Sequence, residues 1–166
     1  MSALPAAWLV PRKSDGMGAE GLAWFNALPL AAAREALLGC CSSLAWAERM
    51  ASGRPYSSAR DAVRQSSAIV ARLAVHDLQA ALDGLAGRSP QSADGETGAE
   101  FAVGILEYEQ RFGHVYLAAG SHSGPQQLAT LRIRLRNRRE TEWQVVRTEL
   151  QKINAARLQD LLTGSA

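Results

Sequence analysis

Residues 140–162 read ETEWQVVRTELQKINAARLQDLL. Along them Trp143, Val146, Leu150, Ile153, Leu158, Leu161 and Leu162 recur with the 3.6-residue period of a helix that buries one face. A strand, whose side chains alternate between two faces, would not carry this pattern. The upstream chain reads the same way. After a short first helix, Asn26 and Pro29 punctuate the chain, and Leu30 to Cys41 puts Ala33, Leu37, Leu38 and Cys41 on one face. Ser42 and Ser43 can cap SLAWAERMASG, which stops at Gly53 before Arg54-Pro55. In SSARDAVRQSSAIVARLA, Ser57 or Ser58 supplies an N-cap, and Ala62, Ser66, Ile69, Val70 and Leu73 supply the face. His76-Asp77 interrupts, and Asp77 is read as the cap of DLQAALDGL. Residues 87–98, GRSPQSADGETG, read as a loop. The next helix has Phe101, Ile105, Leu106 and Tyr108 on or near its inner side and ends at Gly113. HVYLAAG, residues 114–120, is the one strand-like run, and its length does not separate a strand from a short helix or an extended segment. Ser123 and Pro125 then open a helix that runs to about Arg136. These elements specify an all-α, single-domain helical bundle, with an N-terminal tail over 1–18 and a domain over 19–163.

A chain of 166 residues, 47% hydrophobic and 20% charged, has the size and composition of one globular domain. The N-terminal apolar run precedes its charges, the reverse of a secretory signal, and no stretch reaches the roughly 18 apolar residues of a membrane span. The expectation is a soluble, cytoplasmic protein. A net charge of +2 argues for neither nucleic acid nor an anionic membrane. Arginines crowd at Arg132, Arg134, Arg136, Arg138 and Arg139, whereas Lys13 and Lys152 are the only lysines. Apart from Arg134, these arginines do not share a helical face and read as a solvated surface partnered by Glu140 and Glu142. Nucleic-acid binding would call for interleaved aromatics, which are absent. Cys40 and Cys41 are adjacent, sit in an apolar segment and read as small core residues.

Several segments together resemble the 2-oxo-4-hydroxy-4-carboxy-5-ureidoimidazoline (OHCU) decarboxylases of urate breakdown. They are FNALP at 25–29, ALLGCCSSLAWAERMASGRPY at 36–56, YEQRFGHVYLAA at 108–119, RLRN at 134–137, and the 140–162 stretch. The resemblance implies an all-α fold, a homodimer, a small ureido acid as substrate, and no metal or organic cofactor. It implies a reaction that removes CO2 from OHCU and protonates the resulting carbanion on one face to give (S)-allantoin. The family performs this with a histidine in a His-Pro-Arg-Ile-Gly motif, a downstream glutamate and the arginine of Arg-Leu-x-Asn.

Of these three, the arginine alone is matched, by Arg134. Its planar fork suits a carboxylate or a ureido oxygen. The histidine position falls on Leu85, which cannot transfer a proton, and the loop over 86–98 is shorter than in the family. Glu96 and Glu100 lie in that loop and at the start of the next helix, without aligning with the catalytic glutamate. His122 stands where the family has the arginine of Gly-Arg-Ser. Its imidazole suits acid–base work, but an exposed loop histidine is the plainer reading. His114 occupies a position that is often aromatic in the family and reads as packing, and His76 reads as a solvated residue. By the same resemblance, the backbone around Leu117 and Ala119 faces the substrate ring. Two functions follow as expectations: decarboxylation of OHCU, or a catalytically degraded paralogue that keeps the scaffold for ligand binding or protein interaction.

Overall fold

The computed structural model describes residues 19–85, 96–120 and 123–164, which form eight α-helices. They are α1 Ala19–Ala27, α2 Leu30–Cys40, α3 Leu44–Ser52, α4 Ala59–Ala71, α5 Val75–Asp83, α6 Glu96–Phe112, α7 Gly124–Arg134 and α8 Arg139–Thr163. The all-α architecture is the one the periodicity specified. No described helix is long and apolar enough to cross a membrane. The 1–18 tail, loop residues 86–95, Ser121 and His122 lie outside the described residues.

The serine caps act as read, since Ser43 Oγ accepts from Trp46 N and Ser58 Oγ from Asp61 N. At α7, Ser123 is the N-cap, and its backbone N–H donates to Gln126 Oε1 at 3.2 Å. Four expectations need correction. Asp77 is not a cap: α5 begins at Val75 after Ala74, which places Asp77 in the first turn, where a carboxylate favours the helix dipole. α6 begins at Glu96, inside the expected loop. Leu106 is 61% exposed, because the buried stripe of α6 runs through Phe101 and Tyr108 and leaves Leu106 on the far side. Asn26 lies within α1, where its side-chain amide pairs with both backbone groups of Tyr56 at 2.9 and 3.0 Å.

Helix α8 is the spine, packing mainly on α4 and α1, while α6 packs on α7. Two cores result. The larger gathers Phe25, Leu37, Trp46, Leu78, Leu150 and Leu158, among others, from α1 to α5 and α8. The smaller joins Phe101, Tyr108, Phe112, Tyr116, Leu128 and Leu131 from α6, α7 and the segment after α6. That segment, HVYLAAG, is extended and pairs with no described strand. Its period of two serves both cores, with Val115 and Leu117 packing on the larger and Tyr116 and Ala118 on the smaller.

Arginines close the helix C-termini, where unpaired carbonyls gather. Arg54 Nη1 donates to Phe25 O and Leu28 O at 2.7 and 2.8 Å, and Arg157 Nη1 to Cys40 O at 2.7 Å. Arg147 Nη1 donates to Val70 O at 2.9 Å and Arg139 Nη1 to Phe112 O at 3.0 Å. These bonds end α1, α2, α4 and α6, and three of the four arginines come from α8.

Helix α1 lies so close to the end of α8 that a Cβ on Gly21 would stand 2.3 Å from Leu162 O, whereas one on Gly39 in α2 would meet nothing within 4 Å. Gly21→Ala should therefore cost about 1–3 kcal/mol through forced separation of the helices. Gly39→Ala should add about 0.4–1 kcal/mol by restricting the unfolded chain. Urea midpoints moving in opposite directions are the expected result, and equal midpoints would refute this account of the α1–α8 contact.

Candidate functional site

Arg134 ends α7 at the seam between the two cores and is 4% exposed. Its Nε and Nη2 donate to Glu142 Oε1 at 2.8 and 2.6 Å, Nη2 also donates to Tyr108 Oη at 3.1 Å, and Nη1 donates to the Leu117 carbonyl. The guanidinium carbon lies 4.4 Å from the centroid of the Tyr116 ring. Glu142 is fully buried and satisfied on both oxygens: Oε1 also accepts from Tyr108 Oη at 2.5 Å, and Oε2 from Asn137 Nδ2 at 2.8 Å. Burial opposes the Arg134 charge, but the hydrogen-bonded Glu142 carboxylate outweighs it and holds the group protonated. The Tyr108 hydroxyl is pushed up, first by burial, and stays a neutral donor.

Glu142 thus corrects the reading of a surface partner. The solvated pair in that region joins Arg132 and Glu100 at 2.9 Å. A signal for Glu142 was present in the sequence: Glu142, Val146, Leu150, Asn154, Leu158 and Leu162 follow one another at every fourth position and are all buried. A carboxylate on the apolar stripe of a helix requires a buried partner.

Above this pair, a narrow cleft of about 90 Å³ is lined by Tyr116, Gln127, Thr130, Arg134, Glu149 and Lys152, with Ala118 and Val145. A larger open cleft of about 390 Å³, lined by Ala119, Gly120, Lys152, Ile153, Ala156 and Arg157, has Lys152 in common with it. The larger one falls in the size range of small-molecule sites. Glu149 joins the segment to the helix: Oε2 accepts from Ala119 N at 2.7 Å and Oε1 from Lys152 Nζ at 2.8 Å. Burial works to raise the Glu149 carboxyl, but Lys152 and the Ala119 N–H prevail and hold it below its ordinary value.

The structure brings Arg134, Leu117 and Ala119 together, with the Leu117 carbonyl turned to Arg134 and the Ala119 N–H to Glu149. Leu85 is 8% exposed and belongs to the larger core. Glu100 is at the surface in its pair with Arg132. His122 and the side chain of Glu96 lie outside the described residues. His114 is buried among Trp143, Tyr108 and Phe112, with its ring 4.6 Å from that of Trp143. His76 is 82% exposed beside Asp77. Cys40 and Cys41 are buried, as small core residues would be, and the Cys40 thiol lies 3.9 Å from the Ala36 carbonyl oxygen. Glu149 and Lys152 were not singled out from the sequence, because on a polar helix face nothing distinguishes a cleft from ordinary surface.

The OHCU decarboxylase family model matches residues 86–159. The fold is similar to a crystal structure of OHCU decarboxylase in the presence of (S)-allantoin, with a TM-score of 0.66 and 21% identity, covering 78% of this chain and 97% of that one. It is also similar to a crystal structure of (S)-allantoin synthase, with a TM-score of 0.68 and 19% identity, covering 85% of this chain and 53% of that one. A search of curated proteins finds no significant match.

Removing the carboxylate from the buried pair should be severe. Glu142→Gln is expected to cost about 3–5 kcal/mol by leaving Arg134 charged and unpaired, while Arg132→Ala, which breaks an exposed pair, should cost at most about 1 kcal/mol. Chemical denaturation of the two variants measures the contrast. His114 sets a pH dependence. Burial holds its imidazole below its ordinary value, so the unfolded chain takes up the proton first as pH falls. Its contribution to stability is complete above about pH 6.5 and declines below that, and His114→Phe should flatten this part of the stability–pH curve.

Proposed function

On the premise that the chain has the OHCU decarboxylase fold and carries that family's sequence over residues 86–159, we propose that it decarboxylates OHCU, or a closely related ureido acid, to (S)-allantoin. The observation that carries this reading is where the family match falls. It includes the extended segment, Arg134, Glu149 and Lys152, which the fold assembles around adjoining clefts. Decarboxylation leaves an electron pair on carbon, and a site accelerates it by holding the departing carboxylate and stabilising the charge that develops. Arg134, paired with Glu142, lines the narrow cleft, Leu117 reaches the site through the carbonyl that Arg134 holds, and Ala119 lines the adjoining larger cleft, where the ureido ring would lie. Cytoplasmic location and a homodimeric state belong to the same reading.

A second reading is favoured by Leu85. At the family's histidine position stands an aliphatic side chain packed into the larger core, so that position supplies no proton. A scaffold retained for ligand binding or for association with an active partner would have this character.

The two separate on freshly generated OHCU, with allantoin followed by circular dichroism. Formation of the (S)-enantiomer above the spontaneous rate is expected, and a rate equal to background ends the decarboxylase reading. Calorimetric titration with allantoin and size-exclusion chromatography with other enzymes of purine breakdown test the alternative. Absence of both heat and complex would count against it.

A further inference from the structure

We propose that Lys152 is the general acid of this site, delivering to the substrate carbanion the proton that Leu85 cannot supply; this rests on the decarboxylase reading. Among the described residues, Lys152 is the one that lines both clefts. Its Nζ is held 2.8 Å from Glu149 Oε1, and the other oxygen of that carboxylate takes the Ala119 N–H at 2.7 Å. One carboxylate therefore ties the ammonium to the backbone segment that walls the site.

The remaining described side chains around the clefts do not suit the task. Arg134 is engaged through Nε, Nη1 and Nη2, and its guanidinium does not release a proton. Arg157 is likewise a guanidinium and donates to the Cys40 carbonyl. Glu149 is held ionised and can accept but not give. Burial raises the Tyr116 hydroxyl, which makes it a poorer acid. Gln127 and Thr130 do not titrate, and His114 lines neither cleft. Lys152 carries a transferable proton, a short tether and partial exposure, with 57% of its side chain accessible.

The step balances. The bond from substrate carbon to carboxylate breaks, CO2 leaves, and the electron pair remains on the substrate as a delocalised carbanion. A C–H bond forms as an N–H bond of the ammonium breaks, and that N–H electron pair stays on the lysine nitrogen. Solvent then returns a proton to the amine. Glu149 is a positioning residue, holding the ammonium on one face of the substrate and so directing formation of a single enantiomer.

The test is turnover of OHCU by the full chain and by Lys152→Ala, Lys152→Arg and Glu149→Gln, with thermal unfolding confirming that each variant is folded. Loss of a positioned acid costs about 10²- to 10⁴-fold, so Lys152→Ala should fall by at least about 100-fold. Added methylamine should restore part of its rate. Lys152→Arg, which keeps the charge but not the acidity, should stay slow, and Glu149→Gln should lower the enantiomeric excess of allantoin. Rescue by amine is a readout that a merely structural lysine would not give. An active parent whose Lys152→Ala variant matches it in rate and stereochemistry overturns the assignment of Lys152 alone. A parent no faster than the spontaneous reaction overturns the decarboxylase reading and Lys152 with it.

Discussion

The buried pair of Arg134 and Glu142 is the constraint on which the arrangement of the two cores depends. A guanidinium and a carboxylate removed from water each lose several kcal/mol of solvation, and their attraction compensates only when the remaining hydrogen-bonding positions are filled. Here Tyr108, Asn137 and the Leu117 carbonyl fill them. The participants come from α6, the extended segment, the end of α7, the turn after it and the start of α8. Satisfying one ion pair therefore fixes how the smaller core meets the spine of the larger.

The same economy appears in the other arginines. An extended segment and several helix ends leave backbone groups without regular partners, and buried groups of that kind are costly. Arg54, Arg157, Arg147 and Arg139 supply donors to the C-termini of four helices, while Glu149 accepts from the extended segment. Much of the basic character of the chain is thus structural. With so many cations committed to carbonyls and to Glu142, the exposed ammonium of Lys152 is chemically distinct from its surroundings.

The clefts inherit their form from this framework. The extended segment uses alternate side chains to fill the two cores, which turns its backbone edge toward α8 and leaves Ala119 and Gly120 beside Lys152. Small side chains there keep the larger cleft open. Leu85, in contrast, completes the larger core instead of lining either cleft.

Much of the fold was legible in the chain because helix formation is local. Apolar periodicity in 140–162, the serine caps at Ser43 and Ser58 and the stop at Gly53 involve neighbours in sequence. Local signals mislead where they compete: Asp77 suits a cap and a first turn equally well, and Leu106 is apolar yet lies on the outer side of α6. The extended form of 114–120 is not legible in the sequence, since a short apolar run is compatible with several conformations until its neighbours are known. By itself the sequence determined the helices and the family resemblance, and it marked Arg134 among the arginines. Only the tertiary structure decided that Arg134 is joined to Glu142 and that Lys152, Glu149 and Ala119 meet at one cleft. Those contacts bring together groups from different elements, and whether a charge meets a partner or water depends on how the elements pack.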